Sequence, residues 1–346
     1  GRINWADQTY AIGRGVAAVR HKKDVKCQAF VRAAIESALP QLLAAATGST
    51  FPNVSRDQLL DIEVPPMSPD EQVRISEVLA SFDDKIELNR RMSETLEAMA
   101  RALFRSWFVD FDPVRAKSEG RPTGLPADLD TLFPSEFEDS PLGEIPKGWR
   151  VTPIGQLCYV NSTSLSAKES LDDLEYIEIS AVSRGDILET TWYERSQAPG
   201  RARRRLRHGD TVISTVRPDR GAFFLAHEPH EKLIASTGFA VFRPSTVPWS
   251  YVHCALTLDE VSDYLGRQAD GGAYPAVSPE VIGRWEVVVP EDTRILDGFH
   301  EAASAMFDLA ANSRSESKQL SLTRDELLPK LMSGAIEVSE EGGLRG

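Results

Sequence analysis

A chain of 346 residues, 41% of them hydrophobic, has length for two or three units with real cores, which excludes a disordered protein. Its apolar runs are short (Ile35 to Ala46 is broken by Glu36, Pro40 and Gln41), and none approaches the roughly 20 residues that span a bilayer. The formal net charge of −13 excludes a uniformly basic nucleic-acid binder, although the distribution of charge decides such cases better than its sum. Cys27, Cys158 and Cys254 are far apart, odd in number and in no CxxC pair. Buried thiols in a reducing cytoplasm are expected, not a disulfide framework or a zinc site.

The first segment, residues 1–68, shows its logic only beside a later one. At a constant offset of 223 residues, Gly15, Ala17 and Arg20 meet Gly238, Ala240 and Arg243. Gly48, Pro52, Val54 and Ser55 meet Gly271, Pro275, Val277 and Ser278, and Phe51 meets Tyr274. The strand-like VAAVR and FAVFR are thereby equivalent, as are the turns GSTFPNVS and GGAYPAVS. Each turn leads through a short apolar stretch to a proline, Pro65 or Pro290, and then into a long helical pattern. The chain is internally duplicated. The unit before the second helix has about 140 residues and its counterpart only about 65, so by the repeat the first domain is expected to lack roughly its first 80 residues.

Residues 69–110 predict a long helix. Asp70 to Phe108 contains neither Gly nor Pro and would run roughly 58 Å at 1.5 Å per residue. Ser68 and Asp70 precede it with Glu71 close behind, a plausible N-terminal cap. Ile75, Leu79, Phe82, Ile86, Leu96, Ala100, Leu103 and Trp107 make one seam, with polar Asn89 and Ser93 in two of its positions. Residues 111–148, rich in Pro, Gly and acids, read as a linker.

Residues 149–290 change to short alternating runs. LEYIEIS, DTVISTV, GAFFLA and GFAVF are strand candidates, with Val252 to Gly266 the helical stretch among them. This is a compact α+β domain carrying a locally basic segment. Arg195 to Arg220 holds eight arginines against Asp210 and Asp219. In it, Arg201, Arg203, Arg204, Arg205 and Arg207 supply the charge that phosphate contacts need, the alternative being a solubilising loop. Arg217 and Arg220 flank a proline turn from which a guanidinium can meet guanine, or close an ordinary turn salt bridge. Asn161, Ser162, Thr163 and Lys168 form a polar loop that is either a DNA contact or a plain connection. The equivalent turns at Ser49-Thr50 and Gly271-Gly272 suit close approach to a phosphate backbone or a hinge.

Residues 291–346 carry the second long helix, about Arg294 to Ser333, with Phe299, Met306, Leu309, Leu320, Leu327 and Leu331 on one stripe. Gly298 and Pro329 interrupt its pattern. Two such helices in one chain most simply pack as an antiparallel coiled coil. Catalytic equipment is not evident: no Walker loop, no complete dinucleotide fingerprint, and Val64-Pro65-Pro66-Met67 lacks the aromatic of an adenine-holding motif. His227 and His230 with Glu228 and Glu231 read as an incidental surface cluster, not a metal site.

Three runs carry a family likeness. FPNVSRDQLLDIEVPPMSPDEQVRISEVLASFDDKIELNRR, GEIPKGWRVTPIGQL and ELLPKLMSGAIEV resemble, in order, the domain–helix junction, the opening of a target-recognition domain and the C-terminal end of type I restriction–modification specificity subunits. The resemblance implies two target-recognition domains, the first incomplete here, separated by two conserved helices whose length sets the gap between the halves of a bipartite DNA target. It further implies a non-catalytic subunit that joins two methylation subunits and restriction subunits, with S-adenosylmethionine, ATP and magnesium held by those partners. The rival readings are the specificity portion of a fused restriction–methylation enzyme and a coiled-coil scaffold without a DNA role.

Overall fold

The computed structural model describes every residue except 1–2, 7, 47–52, 167–168, 170, 271, 273–274, 340–342 and 346. In chain order its elements are α1 (Gln28–Ala44), α2 (Arg56–Leu60), α3 (Pro69–Phe108), α4 (Asp112–Ser118), α5 (Ala127–Asp130), β1 (Phe137–Ser140), β2 (Gly143–Pro146), β3 (Arg150–Pro153), β4 (Cys158–Val160), β5 (Asp173–Ile177), β6 (Val182–Ser183), β7 (Asp186–Ile187) and β8 (Thr191–Glu194). There follow β9 (Ala202–Arg205), β10 (Asp210–Ser214), β11 (Phe223–Ala226), β12 (Leu233–Ser236), β13 (Phe239–Pro244), α6 (Trp249–Leu256), α7 (Asp259–Gln268), α8 (Pro279–Gly283), β14 (Glu286–Val289), α9 (Thr293–Ser333), β15 (Glu337–Val338) and β16 (Leu344–Arg345). They fall into two compact units, residues 1–94 with 312–346, and residues 95–311.

The first unit is helical. Ser68 and Glu71 form the expected capping box at the start of α3: the Glu71 N–H donates to Ser68 Oγ, and the Ser68 N–H to Glu71 Oε2. Within this unit α3 and α9 are antiparallel, because the partner of Asp83 is Arg324 and that of Asn89 is Glu316. Asp83 also accepts from Arg32 of α1 at 3.0 Å, so one carboxylate ties three helices. Ile75, Leu79, Leu331 and Met332 pack with Phe30, Ala33 and Ala34 in a small core. The polar seam residues are buried: Asn89 Nδ2 donates to Glu316 Oε2 at 2.7 Å, and Ser93 Oγ to the Asn89 carbonyl. Asn89 Oδ1 has no partner, the cost of a register-fixing polar group.

The second unit is α+β. One sheet runs β11-β10-β13-β4, all antiparallel, and a second runs β8-β5-β12-β9 with a single parallel pair, β5 with β12. All four strand candidates are strands. The stretch expected as one helix, Val252 to Gly266, is two, because the chain breaks at Thr257-Leu258 between α6 and α7. The main core gathers Phe104, Trp107 and Phe108 of α3 around Phe299 of α9, at ring separations of 5.8, 6.2 and 5.3 Å. Tyr251 lies fully buried among them, donates to the Val288 carbonyl, and burial holds its hydroxyl well above the usual pKa.

Three expectations need correction. Residues 111–148 are not a bare connector. Phe111, Val114, Phe133 and Ile145 are buried in the main core, so α4, α5 and the β1–β2 hairpin belong to the second unit's packing. Residues 16–20 (VAAVR) form no strand. FAVFR, its equivalent, pairs with β10 and β4, whereas among the described residues VAAVR pairs with no strand. Leu309 is 55% exposed and lies off the seam, which runs instead through Ala303, Phe307, Ala310 and Ser313. Helix α9 also continues through Gly298 and Pro329. A Cβ at Gly298 would lie 2.4 Å from Leu129 Cδ2, so the missing side chain lets α5 approach.

Candidate nucleic-acid interface

The arginine run forms β9, an edge strand of its sheet and its immediate flanks. Ala202 faces inward and is fully buried, which fixes the register of the strand. On the side away from β12 the backbone is covered by residues 163–165: the Leu165 N–H donates to the Arg203 carbonyl at 2.7 Å, and a bridge joins Ser164 to Arg204. The three central guanidinium groups are consequently committed to protein. Arg203 donates to the Gly200 and Leu165 carbonyls. Arg204 donates to the Phe239 carbonyl, and burial depresses its pKa. Arg205 pairs with Glu169 at 3.2 Å while its buried Nε has no partner. Arg201 and Arg207 are exposed. The run is neither a free charged loop nor a uniform phosphate track.

Below β9, a polar cavity of about 540 Å³ is lined by Arg205, Arg207, His208, Thr163, Glu169 and Glu231. Its wall is held by an arginine the sequence had not singled out. Arg243 makes a bidentate pair with the fully buried Asp210, at 2.8 and 2.6 Å, and reaches Ser162 Oγ and Thr163 Oγ1, both at 3.2 Å. Asp210 Oδ2 also accepts from the Arg207 N–H. Asn161 sits at φ 53°, accepts from the Val241 N–H on Oδ1 and returns its own N–H to the Val241 carbonyl, so it extends the β4–β13 ladder. Lys168, Ser49, Thr50 and Gly271 lie outside the described residues.

Arg217 and Arg220 are carried by a turn after β10, in the other sheet from β9. Arg217 is half-buried at φ 47°, and its N–H donates to the Pro275 carbonyl at 2.7 Å. Arg220 is exposed, and among the described residues it makes no ion pair. The arginines form one basic segment in the sequence, and the fold distributes them over two sheets. His227 and His230 diverge: the first bonds Asp308 at 2.8 Å, the second bonds Glu175 and stacks on Trp192. Among the described residues no group of three or more His, Cys, Asp or Glu is arranged to hold a metal ion.

Comparison with known proteins adds a set of relatives. Residues 1–98 match the model of the type I restriction modification DNA specificity domain. Over 297 residues the chain is 25% identical to the type I restriction enzyme MjaIX specificity subunit of Methanocaldococcus jannaschii, covering 85% of this chain and 65% of that protein. It is 24% identical over 342 residues to the type I restriction enzyme HindI specificity subunit of Haemophilus influenzae, covering 86% of this chain and 74% of that one. Among solved structures, a type I restriction–modification S subunit from M. genitalium aligns with 89% of this chain and 72% of its own, at TM-score 0.49 and 19% identity. Residues 1–98 thus resemble a type I specificity domain, and over most of its length the chain is similar to type I specificity subunits. The chain spans 65% of the length of the first relative named.

Proposed function

We propose that this chain is the non-catalytic, DNA-reading subunit of a type I restriction–modification assembly in the cytoplasm. In this reading its second unit reads one half of a bipartite target, and its first unit carries part of the apparatus for the other half. The long helices offer surface to methylation and restriction subunits. S-adenosylmethionine, ATP and magnesium reside on those partners. The observation that carries the reading is the match of residues 1–98 to a DNA specificity domain, joined to a second, complete α+β unit that displays arginines on an acidic protein. Exposed guanidinium groups suit phosphate oxygens, whose contacts position a protein without specifying sequence.

The test uses exposed positions. Alanine at Arg203, Arg204 and Arg205 would disturb β9 as well as any DNA contact, whereas Arg201 and Arg207 project from its ends. In a fluorescence-anisotropy titration of random-sequence duplex DNA by the whole chain, the double variant Arg201→Ala/Arg207→Ala is expected to weaken binding. It should also flatten the slope of log K against log salt by about 0.9 per lost phosphate contact. Unchanged affinity and slope would show that the ends of β9 are not a DNA face.

A further inference from the structure

The β6–β7 hairpin turns on two residues, Arg184 and Gly185, at φ 32° and 102°. Two-residue turns with both central residues at positive φ favour Asn-Gly, Asp-Gly or Gly-Gly, because a side chain larger than these is strained there. An arginine in the first position is the wrong residue for the backbone. The turn is also bolted to a second strained segment. The Arg184 N–H donates to the Gly221 carbonyl at 3.2 Å, and the Gly185 N–H to the Phe223 carbonyl at 2.8 Å. That segment holds Arg217 at φ 47°, directly before Pro218, and Gly221 at φ 65°. A residue preceding proline is itself disfavoured from the helical region of either hand and prefers extended backbone.

The Arg184 side chain reaches the same segment. Arg184 Cγ and Nε lie 3.5 Å from where a Gly221 Cβ would be, so its guanidinium stem crosses that glycine. Its side chain is 61% exposed, and its acidic partner among the described residues, Asp259, is 85% exposed, a pairing that water and salt readily loosen. Arg220 at the end of the same turn is exposed. Arg184 and Arg217, both in left-handed conformations, and Arg220 at the end of the second turn are thus carried by two turns that backbone bonds join within the second unit. Strain of this kind persists where the surrounding structure holds it, and such residues cluster at functional sites.

Building on the proposed DNA-reading function, we infer that Arg184 is a base-reading residue. The Arg184 hairpin and the Arg217–Arg220 turn form a preorganised head for a DNA groove, in which a guanidinium meets the O6 and N7 of a guanine. This contact needs the planar fork and not merely a positive charge. The cluster thereby differs in task from Arg201 and Arg207, which serve affinity.

Selection from a pool of duplexes with a randomised central segment separates the possibilities, using the whole chain, Arg184→Asn and Arg184→Lys. The wild type is expected to enrich a motif. Both variants should lose discrimination at one G·C pair of it by about tenfold or more, and Arg184→Lys should keep overall affinity within a few-fold. Because asparagine fits the turn, Arg184→Asn should also raise the thermal midpoint by about 2 °C, whereas a merely structural arginine would lower it on removal. If both variants enrich the wild-type motif with unchanged preferences, the inference is wrong while the proposed function stands. If the wild type enriches no sequence, the DNA-reading function fails and the inference falls with it.

Discussion

Residues 15–60 and 238–283 carry the same order of motifs, yet only part of the second copy's structure recurs in the first. Helices α2 and α8 coincide at the offset of 223, each introduced by an extended serine, Ser55 or Ser278. Helix α1 covers the positions equivalent to α6 and α7, and Leu42 and Leu265, aligned by the same offset, are both buried. The strand does not recur. FAVFR is flanked by two hydrogen-bonded neighbours and VAAVR by none. Helices close their backbone bonds internally, and a strand exists only with its partners. A duplicated sequence therefore reproduces its helices more faithfully than its strands.

The sharpest break in this comparison lies at the second unit's buried ion pair. Arg243 aligns with Arg20 of the first copy, but only Arg243 has a sheet to serve. Replacing Arg243 with alanine leaves Asp210, which is 0% exposed, without its cation, and retains only the Arg207 N–H as a named donor to the carboxylate. Removing one partner of a buried pair costs about 3–5 kcal/mol, and urea unfolding should register a loss of that order. Arg20→Ala should shift the midpoint little. Equal effects at the two sites would mean that the first copy holds a comparable buried pair.

The same contrast explains what was legible beforehand. The two long helices were located to within one residue at each end, because a 3.6-residue period and a serine–glutamate cap are local signals. Residues 111–148 read as a linker in sequence because their apolar residues dock on Trp107 and Trp149, contacts that composition cannot reveal. The arginine run looked like solvent-facing charge since its burial depends on β12 and on residues 163–165, brought alongside by the fold. Arg184 gave no signal at all: β6 and β7 have two residues each, too few for any period to show.

A smaller effect concerns the polar seam of the first unit. Asn89 is fully buried with one oxygen unpartnered, and its amide is satisfied by the half-exposed Glu316, which Lys85 also contacts at 3.2 Å. Asn89→Leu should therefore stabilise the α3–α9 pairing by about 1 kcal/mol, since burying an apolar group in place of a half-satisfied polar one is often favourable. The accompanying loss is register: the variant should show broader, more heterogeneous amide signals from α3 by NMR. A destabilised variant would assign Asn89 a structural bond beyond those seen.

The smallest expected effect is one of pH, in the second unit. His300 of α9 accepts or donates at Nδ1 with Ser250 Oγ at 2.9 Å and meets the edge of Trp249. Burial lowers its pKa below the usual 6.5, and His208 acts in the same direction, while Asp297 and Asp308 oppose them. With the folded pKa below the unfolded one, the unfolded chain binds the proton first as the pH falls through about 6.5. The histidine's contribution is thus fully present above that value and is lost on acidification. His300→Gln, which keeps a hydrogen-bonding side chain without a titrating group, should make the fall in thermal midpoint between about pH 7.5 and 5.5 shallower than in the wild type. Parallel curves for the two proteins would place the acid sensitivity outside His300.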